Sequence, residues 1–169
     1  AEYRLSLRED NADMRLTDQA RQMGLIDDAR WDAFNRKRDA VALEIERLKS
    51  TWVQPKKLNN ESAEQVLGKQ IEREYSLHDL LKRPNVSYET LKHLKSNEGE
   101  SLAGNLVNEA HISEQVEIQI KYAGYVSRQQ EEVRKQSELD DQLIPHDINY
   151  DSIQSLSIEV RQNLKQSQP

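Results

Sequence analysis

Ser113-Glu114-Gln115-Val116-Glu117-Ile118-Gln119-Ile120-Lys121-Tyr122-Ala123-Gly124-Tyr125-Val126 opens the longest helical stretch of the chain. Val116, Ile118, Ile120, Tyr122, Ala123, Tyr125 and Val126 spread over more than one helical face, so the spacing predicts a helix buried in the middle of a bundle. The helix is expected to run to about Asp140. Beyond Ser127 only Val133 and Leu139 are apolar, and that half is expected to project into solvent or against a neighbour outside the chain. Gly124 costs a mid-helix position about 1 kcal/mol relative to Ala, which predicts another backbone passing close to it.

Working outward, a second long helix is predicted from Asp27 or Asp28 to about Ser50. Trp31, Phe34, Val41, Ile45 and Leu48 draw one apolar stripe along it. Arg38 falls on that stripe and marks where the buried seam opens. A short helix, Asp18–Met23, precedes it, with Thr17 as N-cap and Gly24 as the stop. The middle reads as short pieces: Glu61–Gly68 capped by Asn60, Leu77–Lys82 capped by Ser76, and Tyr88–Lys95 capped by Ser87. Ser96–Asn108 reads as a flexible connection around Gly99 and Gly104. Ser157 caps a last helix, Ile158–Leu164, beyond Pro145, and Gln166–Pro169 reads as a cut end. The fold class is therefore mainly α: a helical bundle with one long central helix. Its expected parts are 1–16, a strand and turn; 17–112, a helical subdomain; and 113–169, the long helix plus a final short one.

At the opening, Tyr3, Leu5 and Leu7 alternate with Glu2, Arg4, Ser6 and Arg8, the period of a half-buried strand. No nearby segment offers that strand a partner, and an unpaired strand leaves its N–H and C=O groups unsatisfied. The chain also opens on Ala1 rather than Met. The expectation is a piece of a larger protein, with the strand completing a sheet elsewhere.

Charge narrows the function classes. The net charge of −6 in 169 residues argues against an autonomous nucleic-acid-binding domain. Residues 1–57 carry twelve Lys/Arg against eleven Asp/Glu, whereas the remainder carries twelve against nineteen. Contact with a phosphate backbone is thus expected from the first third. No apolar run reaches bilayer length, so no membrane contact is expected, and the absence of cysteine fits a cytoplasmic protein.

The residues offer no active site of their own. His78, His93, His111 and His146 sit in separate segments without metal-ligand spacing. There is no GxGxxG and no phosphate loop, so no nucleotide cofactor is expected within the piece. Arg4 and Arg8 point to one face if the opening is a strand, and Arg15 follows the turn. These arginines are candidates for holding phosphate, and pairing with Asp10 and Asp13 to pin the turn is the structural alternative. Arg36 and Lys37, basic positions off the apolar stripe, are further candidates for RNA contact. Tyr122, Tyr125 and Arg128 lie near one side of the long helix and are candidates for stacking on RNA bases, with edge-of-core aromatics as the alternative.

Three separated motifs in order carry a resemblance. AEYRLSLREDNADMRL at 1–16, Gly24-Leu25-Ile26-Asp27-Asp28-Ala29-Arg30-Trp31, and Lys121-Tyr122-Ala123-Gly124-Tyr125-Val126-Ser127-Arg128-Gln129-Gln130 together resemble the C-terminal third of the glucose-inhibited division protein A (GidA/MnmG) family. The likeness extends to Ile144-Pro145 and Asn149-Tyr150-Asp151. It implies that the intact protein uses FAD and NADH and works with a GTPase partner. Together they would add a carboxymethylaminomethyl group at C5 of the tRNA wobble uridine. This piece would help recognise tRNA or the partner without catalysis of its own. The resemblance places the GTPase contact largely in a terminal segment with a Gly-Gln-Ala-Ser-Arg-like motif. This chain ends before that segment, which implies weak or lost partner binding. It also implies a homodimeric parent and a monomeric fragment. Setting the resemblance aside, the second reading is an acidic helical protein–protein interaction module.

Overall fold

The computed structural model describes residues 3–140, 143, 145 and 148–167. Sequence readings that fall on Glu2, Ile144, His146, Gln168 and Pro169 lie outside it. The chain is mainly helical and divides into two compact units, residues 1–129 and 130–169.

In the first unit, helix α1 spans Ala12–Gln22 and α2 spans Asp28–Ser50. Helix α1 starts well before the expected Asp18, with Asn11 at the N-cap and Thr17 inside the helix. It ends as read from Gly24, whose φ of +71° favours glycine. Gly24 N–H donates to the Arg21 carbonyl and Leu25 N–H to that of Ala20, the Schellman pattern. Asp27 caps α2 by accepting from the Arg30 N–H at 2.8 Å. Phe34, Val41 and Leu48 are buried along α2 as the stripe requires, and Arg38 is exposed where the seam opens.

The middle segments wrap α2. Strand β1, Trp52–Val53, pairs antiparallel with β2, Tyr75–Ser76, with Trp52 opposite Ser76 and Val53 opposite Tyr75. Helix α3 spans Asn60–Leu67 and is capped by Asn59, one residue before the expected cap. Helix α4, Leu77–Leu81, is capped by Ser76 and packs on α2. The expected helix Tyr88–Lys95 is only a 3-10 turn, Thr90–His93, with the Ser87 hydroxyl accepting from the Thr90 N–H at 3.1 Å. The segment expected to be a flexible connection is packed instead. Lys95 bridges to Ser101, Leu102 N–H donates to the Leu94 carbonyl, and Ala103 is fully buried.

Helix α5 runs Ala110–Asp140. Ile112, Val116 and Ile120 are buried, but Tyr122 is 40% and Tyr125 60% exposed. The apolar character around the helix therefore does not place its whole first half inside a bundle. Burial stops near Ile120, and the tyrosines are left at the surface. Among the described residues nothing lies within 4 Å of where a Gly124 Cβ would sit, so none of their backbone approaches it.

The opening segment is a further correction. Tyr3–Leu7 forms a turn, not a strand: Ser6 N–H and Leu7 N–H both donate to the Tyr3 carbonyl, at 3.1 and 2.9 Å. Curling satisfies locally the backbone groups that a lone strand would leave open.

The second unit contains a 3-10 turn at Tyr150–Ser152 and helix α6, Ile158–Ser167. The Ser157 hydroxyl accepts from the Val160 N–H at 3.3 Å, the cap read from the sequence. Lys165 bonds Asp151, and the Arg161 guanidinium donates to the Leu156 carbonyl at 2.9 Å.

Candidate functional site

The opening turn is moored to α5 at two points. The Ser6 hydroxyl donates to Gln129 Oε1 at 3.2 Å, and the Arg8 guanidinium lies 4.2 Å from the Tyr122 ring centroid. Arg8 also grips Asp10 in a fork, Nε to Oδ1 and Nη2 to Oδ2, both at 2.8 Å. That hydrogen-bonded pair holds the Asp10 carboxyl below its ordinary pKa and raises the Arg8 value further. Arg15 closes the turn by donating to Asn11 Oδ1 at 2.8 Å and to the Arg8 carbonyl at 3.2 Å. The Asn11 amide reaches back to the Ser6 carbonyl at 3.0 Å.

Three sequence candidates are therefore engaged within the chain. Arg8 is held by Asp10 and Tyr122, Arg15 by Asn11 and backbone, and Lys37 by Asp13 at 2.6 Å. Pairing pins the turn, as the structural alternative holds, except that Asp13 takes Lys37 rather than an arginine. Arg4, Arg36 and Arg128 are exposed and form no ion pair with a described residue. Tyr122 and Tyr125 meet edge to face, with centroids 6.4 Å apart. One ring is covered in part by Arg8 and the other is open.

The turn has two unlike sides. A cleft of about 720 Å³ beside it is lined by Glu9, Asp10, Asp13 and Glu114 together with Lys37 and His111. Four carboxylates against one lysine make that side unfavourable for a phosphate backbone. Tyr122, Tyr125 and Arg128 are absent from that lining and are exposed.

A second polar constellation escaped the sequence reading. Glu44, only 4% exposed, accepts from the Tyr88 hydroxyl at 2.6 Å and from Arg47 Nη2 and Nε at 2.7 and 2.8 Å. Arg47 Nη1 donates to the Ala103 carbonyl at 2.8 Å, and the Tyr88 oxygen accepts from the Val107 N–H at 2.9 Å. Burial first, then the Glu44 carboxylate, pushes the Tyr88 phenol well up, so it stays a donor. The available signal was a carboxylate set between Val41 and Leu48 on the apolar stripe. The network ties α2 to the 88–107 segment. Among the described residues no group of three or more His, Asp or Glu side chains is placed to hold a metal, and no helix is long and apolar enough to cross a membrane.

The described residues are mainly helical, with Tyr122 and Tyr125 exposed on α5. Comparison with known proteins identifies the family. Residues 28–130 match the tRNA modifying enzyme MnmG/GidA C-terminal helical domain, and residues 129–169 match the MnmG/GidA C-terminal helical bundle. The chain belongs to that family. It is also similar to Aquifex aeolicus GidA in its form II crystal, with 30% identity and a TM-score of 0.61 over 99% of this chain and 24% of that chain. For the form I crystal the values are 29%, 0.60, 100% and 24%. The chain thus spans about a quarter of the length of the solved structures it matches. The two family matches meet at 129–130, where the chain also divides into its compact units.

Proposed function

We propose that this chain is the non-catalytic helical region of an enzyme that modifies the wobble uridine of tRNA, and that it helps hold the tRNA. The observation that carries the reading is the division of labour at the opening turn. Arg8 is spent on Asp10 and on Tyr122 of α5, Arg15 on the turn itself and Lys37 on Asp13, while Arg4 and Arg128 are exposed without an ion pair to a described residue and Tyr125 offers an open ring. Exposed Arg beside Tyr suits single-stranded RNA, through phosphate contact and base stacking.

In the whole protein the reaction would use FAD and NADH and a GTPase partner to add a carboxymethylaminomethyl group. The described residues contain no strand–loop–helix unit with clustered glycines, so the residues present do not fit a dinucleotide. Flavin and nicotinamide are assigned to other parts of the whole protein. The chain itself is expected to run as a monomer in the cytoplasm.

The test is fluorescence anisotropy of labelled tRNA titrated with the chain over a range of salt. Binding that weakens with salt, and weakens further in an Arg4→Ala/Arg128→Ala double variant, supports the reading. Undetectable binding at low salt, or binding indifferent to the double variant, removes it.

A further inference from the structure

Tyr75 lies in β2 opposite the buried Val53 and packs in part against the core. The guanidinium carbons of Arg73 and Arg83 stand 5.0 and 4.9 Å from its ring centroid. Lys69 joins them. It follows Gly68, whose left-handed φ of +72° ends α3, and the Asn85 amide donates to the Leu67 carbonyl at 3.2 Å, drawing the turn after Arg83 against that end. Arg73 above all, then Arg83 and Lys69, hold the Tyr75 phenol below its ordinary pKa.

No described carboxylate neutralises them. Glu72 and Glu74 flank Arg73 in sequence, yet neither forms an ion pair with Lys69, Arg73 or Arg83. Arg83 Nη1 is buried without any hydrogen-bond acceptor. The other arginines lying over an aromatic ring, Arg8, Arg21 and Arg38, each pair with a carboxylate, Asp10, Asp28 and Asp39 respectively. Two guanidiniums within 5.0 Å of one ring centroid, with the exposed Lys69 after α3 and no described carboxylate paired to any of the three, leave a place open to an anion.

We propose that Lys69, Arg73 and Arg83, gathered around Tyr75, bind a phosphate group of an RNA backbone. Two guanidinium forks and an ammonium match the charge and the several acceptor oxygens of a phosphodiester. The assignment of that phosphate to RNA rests on the tRNA reading above, whereas the anion site stands on its own geometry.

The experiment uses the chain with 13C-labelled tyrosine rings, Tyr75 being assigned from Tyr75→Phe. It is titrated separately with inorganic phosphate and with tRNA at constant ionic strength. The expected result is that both shift the Tyr75 resonance, tRNA at far lower concentration. Lys69→Gln/Arg73→Gln/Arg83→Gln should abolish both shifts and lower the log–log salt slope of tRNA binding by about 1, the loss of one phosphate contact. Lys69→Gln alone changes an exposed side chain, keeps the fold, and should weaken both titrations. A Tyr75 resonance unmoved by either titrant overturns the site. Movement with phosphate but not with tRNA overturns the assignment to RNA. If tRNA moves Tyr75 while Arg4→Ala/Arg128→Ala binds normally, this site stands and the reading of the α5 face fails.

Discussion

Two places in the molecule set an arginine and a carboxylate against a tyrosine, with opposite consequences. Around Tyr88 the carboxylate is buried, with 5% of the Glu44 side chain open although 29% of the Arg47 side chain is: Glu44 receives three hydrogen bonds, and Arg47 and Tyr88 each hold a further backbone partner. Around Tyr122 the fork of Arg8 on Asp10 lies at the surface, with about a fifth of the Arg8 side chain and a third of the Asp10 side chain still open. The ingredients match and the environment differs. Buried, an unpaired member cannot be rescued by water; exposed, it can.

The largest expected effect is at the buried group. Glu44→Ala leaves Arg47 and the Tyr88 hydroxyl without their acceptor and should cost about 3–5 kcal/mol, read from the urea midpoint. A loss below about 1 kcal/mol would erase the distinction between the two places. Tyr88→Phe removes a hydroxyl that both donates and accepts, stranding the Val107 N–H, and should cost about 1–3 kcal/mol by the same measurement. Arg8→Ala is expected to cost less, about 1 kcal/mol, because the pair is screened and only the contact with Tyr122 adds to it. A cost equal to that of Glu44→Ala would mean the opening turn is as integral as the core.

The smallest effect is in pH. The folded pKa of Asp10 is depressed by Arg8, so its contribution is present above the unfolded value near 3.8 and fades as acidity carries the pH down through the folded value. In a comparison of melting curves, Asp10→Asn should flatten that part of the acid limb and leave neutral-pH behaviour nearly unchanged. A wild-type loss centred above pH 5 would assign the acid sensitivity to another group, such as His78. Burial lowers the His78 pKa, so its contribution is lost on acidification below about 6.5.

How much the sequence revealed follows the same physics. Helix α2 was legible because Phe34, Val41 and Leu48 repeat at helical spacing and Asp27 offers a cap oxygen. Ser76 and Ser157 were legible as caps for the same local reason. Strands β1 and β2 were not, because two residues have no period to detect and their pairing joins Val53 to Tyr75 across the intervening α3. The alternation of Tyr3, Leu5 and Leu7 misled, since Tyr3 and Leu7 are exposed and the turn is fixed by Ser6, Arg8 and Asn11 through distant or irregular contacts. At the candidate interface the residue types were legible and their availability was not. Only the structure separates Arg4 and Arg128, which are open, from Arg8, Arg15 and Lys37, which are taken. The gathering of Lys69, Arg73 and Arg83 had no sequence signal, because the strand ladder and the Asn85 tether assemble it.

The mooring of Ser6 to Gln129 joins residues 123 apart in the chain. On a ribosome adding about 5–20 residues per second, the first of these is made roughly 6–25 s before the second. Over that interval Arg8 and Asp10 can clasp each other, but Tyr122 has not yet been made and the turn has no helix to lie against. The packing of α4 and the β1–β2 pair on α2 can form in the meantime. The opening segment is therefore expected to settle last, as a late docking step governed by when α5 emerges rather than by how fast the turn itself can form.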